Sequence, residues 1–566
     1  MKRSDSILMK PTQRSSRLRT RSKVPLALAV LAGCAAAPEL GRIVPPAALS
    51  GTPALAASTL RDRDLGPSRP AELTSAGEEG AKVASPPPRD EMPNPYEEPP
   101  SPALPRLISV GLVTQIYVFP SKRAYPLGYV HVGGSVALRR SEPLRIGAGC
   151  PTAWYAVEPR GFVCNDDTTL LVTAERQLSP AAERMLKGFA TSAPSDGPLP
   201  YGYALSLGTP MYGRVPARDE QVHHEATYGP PPLALGTWAN GHEGLASGNP
   251  VLPDADLPWF LADGAFAPVT VRGRAPRLVR RIAPRGSLIS YRSAFEADGR
   301  TWLLTPELSV VPADRVRAYR PTSFRGVELG DAVHLPLAWI RKLPRPKWRA
   351  DGAGRLAPTD EAWGAREAVA LTGKRSAVGD RVLLETLEPG AFLDEADASV
   401  VERATERPAR VAADEKWIQV SIGRGTLTAY EGDQPVFATL ISPGKGGASP
   451  WKYPTLHSLV ARHNTPLGVF RVQFKERYGA MSPDPEQKKF FISDVPFIQY
   501  FYGPFALHAS YWHEDFGEPK SGGCINLSPA DAARLFAWTD PPLPIGWHAV
   551  RPGGPNGRGT TLQVPP

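Results

Sequence analysis

Two residues in the last eighth of the chain have the types and spacing for nucleophilic catalysis. His508 closes the apolar run Phe505-Ala506-Leu507, and Cys524 follows sixteen residues later inside Ser521-Gly522-Gly523-Cys524-Ile525-Asn526. A thiol attacks only as its thiolate, and a neighbouring imidazole and nearby backbone dipoles are what bring its pKa down. The paired glycines permit a tight turn with inward N–H groups, the geometry an oxyanion hole requires. On composition alone, a lone cysteine is more often a small buried hydrophobe. Other candidates fall short of their motifs. His223-His224 and His242-Glu243 do not complete a His-Glu-x-x-His zinc site, and Cys150 and Cys164 lack the spacing of a four-ligand structural site. Gly444-Lys445-Gly446 is not embedded in a P-loop pattern. No metal or cofactor is expected.

The surrounding sequence predicts the elements that hold these residues. Phe505 to His508 reads as a strand. Ser528-Pro529-Ala530-Asp531 sets an N-cap, a first-position proline and an acidic third residue ahead of Ala532, Leu535, Phe536 and Trp538, so a short helix begins just after Asn526. Upstream, Trp417 to Ile422 and Thr426 to Tyr430 alternate with period two around Gly423-Arg424-Gly425. After Glu431-Gly432-Asp433 a third strand runs from Val436 to Ser442. This is a β-meander opening an antiparallel domain.

At these residues the chain resembles the L,D-transpeptidase catalytic-domain family of bacterial cell-wall enzymes. The family signature, a histidine and then Ser-x-Gly-Cys followed by an apolar residue and Arg or Asn, is met by His508 and by Ser521-Gly522-Gly523-Cys524-Ile525-Asn526. Thr465-Pro466-Leu467-Gly468-Val469-Phe470 and Ser442-Pro443-Gly444-Lys445 match two further elements in order. The resemblance covers roughly residues 411 to 551, and many members carry His or another polar residue where this chain has Gly522. It implies Cys524 as nucleophile, His508 as general base and acid, the Ala509 carbonyl orienting His508, and the Gly523 and Cys524 amides at the oxyanion. Ser521, Gly522, Asn526, Trp512 and His513 are expected against the substrate, His513 alternatively as a structural contact. The implied substrate is a peptidoglycan stem peptide. Cys524 would attack the bond between the L-centre of a diamino acid and a terminal D-alanine, and an amine acceptor would then give a 3-to-3 cross-link. Water as acceptor would make an L,D-carboxypeptidase. A papain-like endopeptidase is disfavoured because its nucleophile precedes its histidine, and a non-catalytic wall-binding protein is the remaining alternative.

The rest of the chain reads as an export and tethering apparatus. Eight basic residues stand against Asp5 in the first 23 positions, and the apolar run Val24 to Ala32 follows. That order is a secretory signal, here residues 1–33, too short to span a bilayer. Leu31-Ala32-Gly33-Cys34 resembles the lipobox of bacterial lipoproteins, which implies lipidation of Cys34 and a membrane anchor in the cell envelope or periplasm. An ordinary signal peptide, cleaved near Ala57, is the alternative. Residues 34–105 form a Pro-rich tether, with eleven prolines between Leu60 and Pro105. Short apolar runs between Gly and Pro turns predict a small β-barrel over 106–175. From Ile116 to Leu171 it resembles a bacterial SH3-like domain. Cys150 and Cys164 flank its hairpin and are expected to pair in an oxidising compartment, the alternative being two reduced buried thiols. If so, and if Cys34 is lipidated, Cys524 is the cysteine left over. Residues 176–285 read as irregular and Pro-rich, including six arginines from Arg272 to Arg285 read as a solvated face. A possible second SH3-like unit occupies 286–330, a β-rich bridge 331–410, the catalytic domain 411–551 and a C-terminal tail 552–566. The expected fold is therefore mainly β and multidomain.

The net charge of +9, from 65 basic and 56 acidic residues, suggests an anionic partner only until its location is considered. Setting aside the first 23 positions leaves 57 basic and 55 acidic residues, a net +2. Nucleic acid is thus not an expected partner.

Overall fold

The computed structural model describes residues 105–111, 113–174, 177–180, 198–232, 241–248, 251–267, 276–449, 454–481 and 490–566. The signal peptide, Cys34 with its expected lipidation, and the tether up to residue 104 lie outside the described residues. The fold is mainly β. Among the described residues no helix is long and apolar enough to cross a membrane.

The region from Lys416 to Val564 is built on two sheets with a helix packed against them. In the first, β1 (Lys416–Ser421), β2 (Thr426–Glu431) and β3 (Gln434–Leu440) form the expected meander, in register from Lys416↔Glu431 to Ser421↔Thr426. Gly425 turns the first hairpin at φ +65°, and a Cβ there would lie 2.4 Å from the Gly517 carbonyl oxygen, so only glycine fits. Trp417 stacks on its cross-strand partner Tyr430 at 4.2 Å. After a short helix α1 (Leu456–Ala461), β4 (Gly468–Arg471) occupies one edge.

The second sheet holds β5 (Phe474–Met481), β6 (Ile492–Tyr502), β7 (Phe505–Ala509) and β8 (Ile525–Leu527), followed by α2 (Pro529–Trp538) and β9 (Ala549–Val550). Strands β6 and β7 are antiparallel and β7 and β8 parallel. Ser528 caps α2 by accepting from the Asp531 amide at 3.2 Å, as its sequence predicts. Leu535 and Phe536 of α2 share one core with Ile418, Val420, Leu427, Phe497, Phe501 and Leu507, which fixes the helix over both sheets.

One boundary differs from expectation. The segment expected to be a tail contributes β10 (Thr561–Val564), which lies between β1, to which it is parallel, and the edge strand β4, to which it is antiparallel. Without it β4 would lose its pairing to the sheet.

The flanking regions are continuous with these sheets. Seven short strands run from Arg106 to Val172, and a disulfide joins Cys150 to Cys164. Strand Pro126–His131 pairs with β9 through Gly128↔Val550 and Tyr129↔Ala549. Within the stretch expected to be irregular, Gly202–Ser206 and Thr209–Tyr212 are strands pairing with those between Leu288 and Ala318, and Val279–Ala283 is a strand pairing with Thr209–Tyr212. The first two are buried on both faces, so they show no polar alternation to read. Of the arginines expected on a solvated face, Arg272 and Arg274 lie outside the described residues, while Arg277, Arg281 and Arg285 are exposed and Arg280 is half-buried. Arg280 donates to the Ala267, Glu307 and Leu308 carbonyls, Arg281 stacks 3.4 Å from the Phe491 ring centroid, and Arg285 donates to the Tyr228 carbonyl. Leu337 to Val401 builds a seven-stranded sheet with a separate apolar cluster around Ile340, Trp363 and Leu393.

Candidate active site

Strand pairing sets the site. Because β7 and β8 are parallel with His508 opposite Asn526, and side chains alternate faces with period two, His508, Asn526 and Cys524 share one face. Cys524 therefore sits diagonally from His508 on the adjoining strand end, about 7–8 Å between backbones and less between side chains. Its Sγ lies 3.8 Å from the Pro504 carbonyl oxygen in the turn between β6 and β7.

His508 is oriented by its own strand. Its Nδ1 donates to the Ala509 carbonyl at 2.9 Å, which places the neutral ring's lone pair on Nε2. That Nε2 is buried and has no hydrogen-bond partner. Burial pushes the imidazole down to about 4, against the opposing pull of the Ala509 carbonyl, so the ring is neutral near pH 7.

The turn before Cys524 is braced from inside. The Ser521 hydroxyl donates to the Cys524 carbonyl and accepts from the Gly523 amide at 3.1 Å. The Gly523 N–H, expected at the oxyanion, is thus engaged by Ser521. Gly523 itself adopts φ +124°, and a Cβ would lie 2.4 Å from the Phe505 ring and 2.8 Å from the Asn464 carbonyl oxygen. Thr465 stitches the three sequence elements together: its Oγ1 accepts from the Gly444 amide at 2.9 Å and donates to the Gly523 carbonyl at 3.0 Å. Cys524 is held in a disulfide, so the leftover cysteine of the sequence count is not a free thiol here. Only its reduced side chain can act as a nucleophile.

The residues expected against substrate lie in the protein interior. Ser521, Gly522, Asn526, Trp512 and His513 are all buried and engaged with the surrounding protein. Trp512 packs 6.0 Å from the His508 ring. His513 Nδ1 accepts from the Asp515 amide at 3.1 Å, which puts its proton on Nε2, 3.0 Å from the Asn526 side-chain amide. Presenting the Asn526 oxygen there would complete that bond and partner the otherwise unsatisfied Oδ1. Burial holds His513 neutral at about 3, so it acts as a structural contact.

One contributor was not foreseen. His242, from the loop 241–248, packs edge-on against Trp512 at 5.8 Å, while Tyr319 holds the loop through its hydroxyl and the His242 carbonyl. Its distance in sequence from the catalytic region left no local signal. Among the described residues no group of three or more His, Cys, Asp or Glu could hold a metal ion.

Comparison with known families matches the same region. Residues 415–561 fit the YkuD model, described as the L,D-transpeptidase catalytic domain. This part of the chain is similar to L,D-transpeptidase catalytic domains. Similar solved structures include the L,D-transpeptidase of Xylanimonas cellulosilytica, at 24% identity and TM-score 0.19, covering 28% of this chain and 64% of that one. The catalytic domain of the E. faecium L,D-transpeptidase is 21% identical with TM-score 0.18, over 27% and 97% of the two chains. The L,D-transpeptidase from Mycobacterium smegmatis is 18% identical with TM-score 0.18, over 44% and 88%. No curated protein matches the chain. The matched region thus contains every catalytic candidate, while His242 comes from outside it.

Proposed function

We propose that the chain is a cysteine-dependent peptidoglycan L,D-transpeptidase that forms 3-to-3 cross-links through a thioester on Cys524. The observation that supports it most is the His508 ring, fixed through Nδ1 on Ala509 with a buried, unpartnered Nε2 on the strand beside Cys524. In this reading His508 takes the thiol proton and the thiolate attacks the carbonyl preceding the terminal D-alanine. The developing oxyanion meets the Cys524 amide. The carbon–nitrogen bond breaks, His508 returns the proton to the departing amine, and the thioester remains. A side-chain amine of a second stem then attacks; a new amide forms and the thiolate leaves. The bond broken supplies the free energy for the bond made, which suits a compartment without ATP. The reading extends to export through the basic and apolar N-terminus, lipid anchoring at Cys34, an SH3-like module over 106–175 and a second such unit over 286–330.

The test is incubation of the reduced full chain with a disaccharide-tetrapeptide, with products followed by mass spectrometry. Release of D-alanine with a cross-linked dimer, absent in Cys524→Ala, is the expected result. D-alanine release without dimer would make it a carboxypeptidase, and equal inactivity of both proteins would overturn the enzymatic reading.

A further inference from the structure

We propose that Lys445, with Lys520 beside it, forms a carboxylate-binding subsite next to the Cys524 turn that recognises an anionic group of the donor stem; this rests on the transpeptidase reading above. The two lysines leave backbone segments that are hydrogen-bonded to each other: Lys445 N–H donates to the Ser521 carbonyl and Lys520 N–H to the Pro443 carbonyl, each at 2.9 Å. Lys520 stands four residues before Cys524, and Lys445 follows Gly444, which bridges to Ser521, so both lie in the loops that meet beside the Cys524 turn.

The local charges do not balance. Asp515 takes Lys520 at 2.8 Å and Lys342 at 2.9 Å, and burial of that carboxylate is outweighed by these two bonds, which hold it well below its usual range. Lys445 has no ion pair among the described residues. Burial and the Lys520 charge both press its ammonium below its ordinary value. Two neighbouring imidazoles feel the same field: after burial, Lys445 and Lys520 hold His242 low, and Lys445 holds His463 low. His242 Nδ1 and His463 Nε2 are buried without a hydrogen-bond partner. Like charges and open polar atoms gathered beside a reactive turn are what a bound anion would satisfy.

The donor stem offers carboxylates at the right distance. The departing residue ends in one, a single residue or about 3.5 Å of extended chain beyond the attacked carbonyl. A diamino acid with a side-chain carboxylate offers another. Both present the same chemistry to Lys445, and the experiment separates them.

Tetrapeptide donors are compared with the C-terminal carboxylate free or amidated, and with the diamino-acid side-chain carboxylate free or amidated, using the full chain and its Lys445→Met and Lys445→Arg variants. Wild type is expected to lose roughly tenfold in kcat/KM on amidation of one of the two groups, which identifies the source. That ratio should fall toward one in Lys445→Met and persist in Lys445→Arg. A wild-type ratio near one for both groups, or an unchanged ratio in Lys445→Met, overturns the subsite. The same preference is read as a Kd ratio by calorimetry on Cys524→Ala, with and without Lys445→Met. If wild type turns nothing over and that binding preference holds, the subsite stands and the transpeptidase reading falls; if the preference is absent too, the subsite falls.

Discussion

The two ends of α2 are built from opposite principles. At its C-terminal end, Lys475 of β5 is fully buried, and its ammonium donates to the carbonyls of Phe536, Thr539 and Pro541 at 2.7, 2.6 and 3.0 Å. Those are three donors matched to three acceptors, at the helix end where a cation is favoured. Burial pushes Lys475 down to about 7, against the nearby Asp540. Before the N-terminal end, His508 is as deeply buried, yet Nε2 has no partner, and neither does Ser510 Oγ. A satisfied buried cation stabilises the fold; an unsatisfied buried base is held ready for another molecule.

This contrast is most strongly tested by His508→Gln, which should lower kcat by about 10²–10⁴ while leaving the melting temperature nearly unchanged. A comparable loss of stability would make His508 a structural residue like Lys475. Next, Lys475→Met should cost about 2–3 kcal/mol in denaturant unfolding, because three buried carbonyls lose their donor, while the folded fraction keeps its kcat. Unchanged stability would remove the Lys475 half of the comparison. Ser521→Ala, which frees the Gly523 amide and the Cys524 carbonyl, should cut kcat roughly tenfold with a small stability change. Full activity in that variant would show that the brace is not needed.

The smallest effect is in pH. The folded His508 pKa is depressed, so the unfolded imidazole binds a proton below about 6.5 while the folded one does not until about 4. The His508 contribution to stability is therefore present above 6.5 and lost as pH falls toward 4. The base stays neutral over the same window, so the acid limb of kcat/KM attributable to His508 should lie near 4. A limb near 6.5 that disappears in His508→Gln would contradict its burial.

The placing of His508 and Cys524 on adjoining elements, the strand before His508 and the helix start at Ser528 were legible because each has a local cause: a histidine-to-cysteine spacing, an apolar run and a capping sequence. The meander was legible from period-two alternation between glycine turns. β10 was not, because a parallel pairing between strands far apart in sequence leaves no turn or hairpin signal. The strands at Gly202–Ser206 and Thr209–Tyr212 were hidden by burial on both faces, and the Gly523 amide by a hydroxyl two residues away that closes the turn on itself. His242 was weighed only as a metal ligand, whereas its contact with Trp512 depends on tertiary packing.

The central claim is that Cys524 carries the acyl group. Acid quench of the reduced full chain during turnover of a tetrapeptide donor, followed by intact mass and peptide mapping, tests it directly. The account predicts an adduct equal to the donor minus D-alanine, mapped to Cys524 and absent in Cys524→Ala. An adduct on any other residue, or D-alanine release that persists in Cys524→Ala, would contradict it.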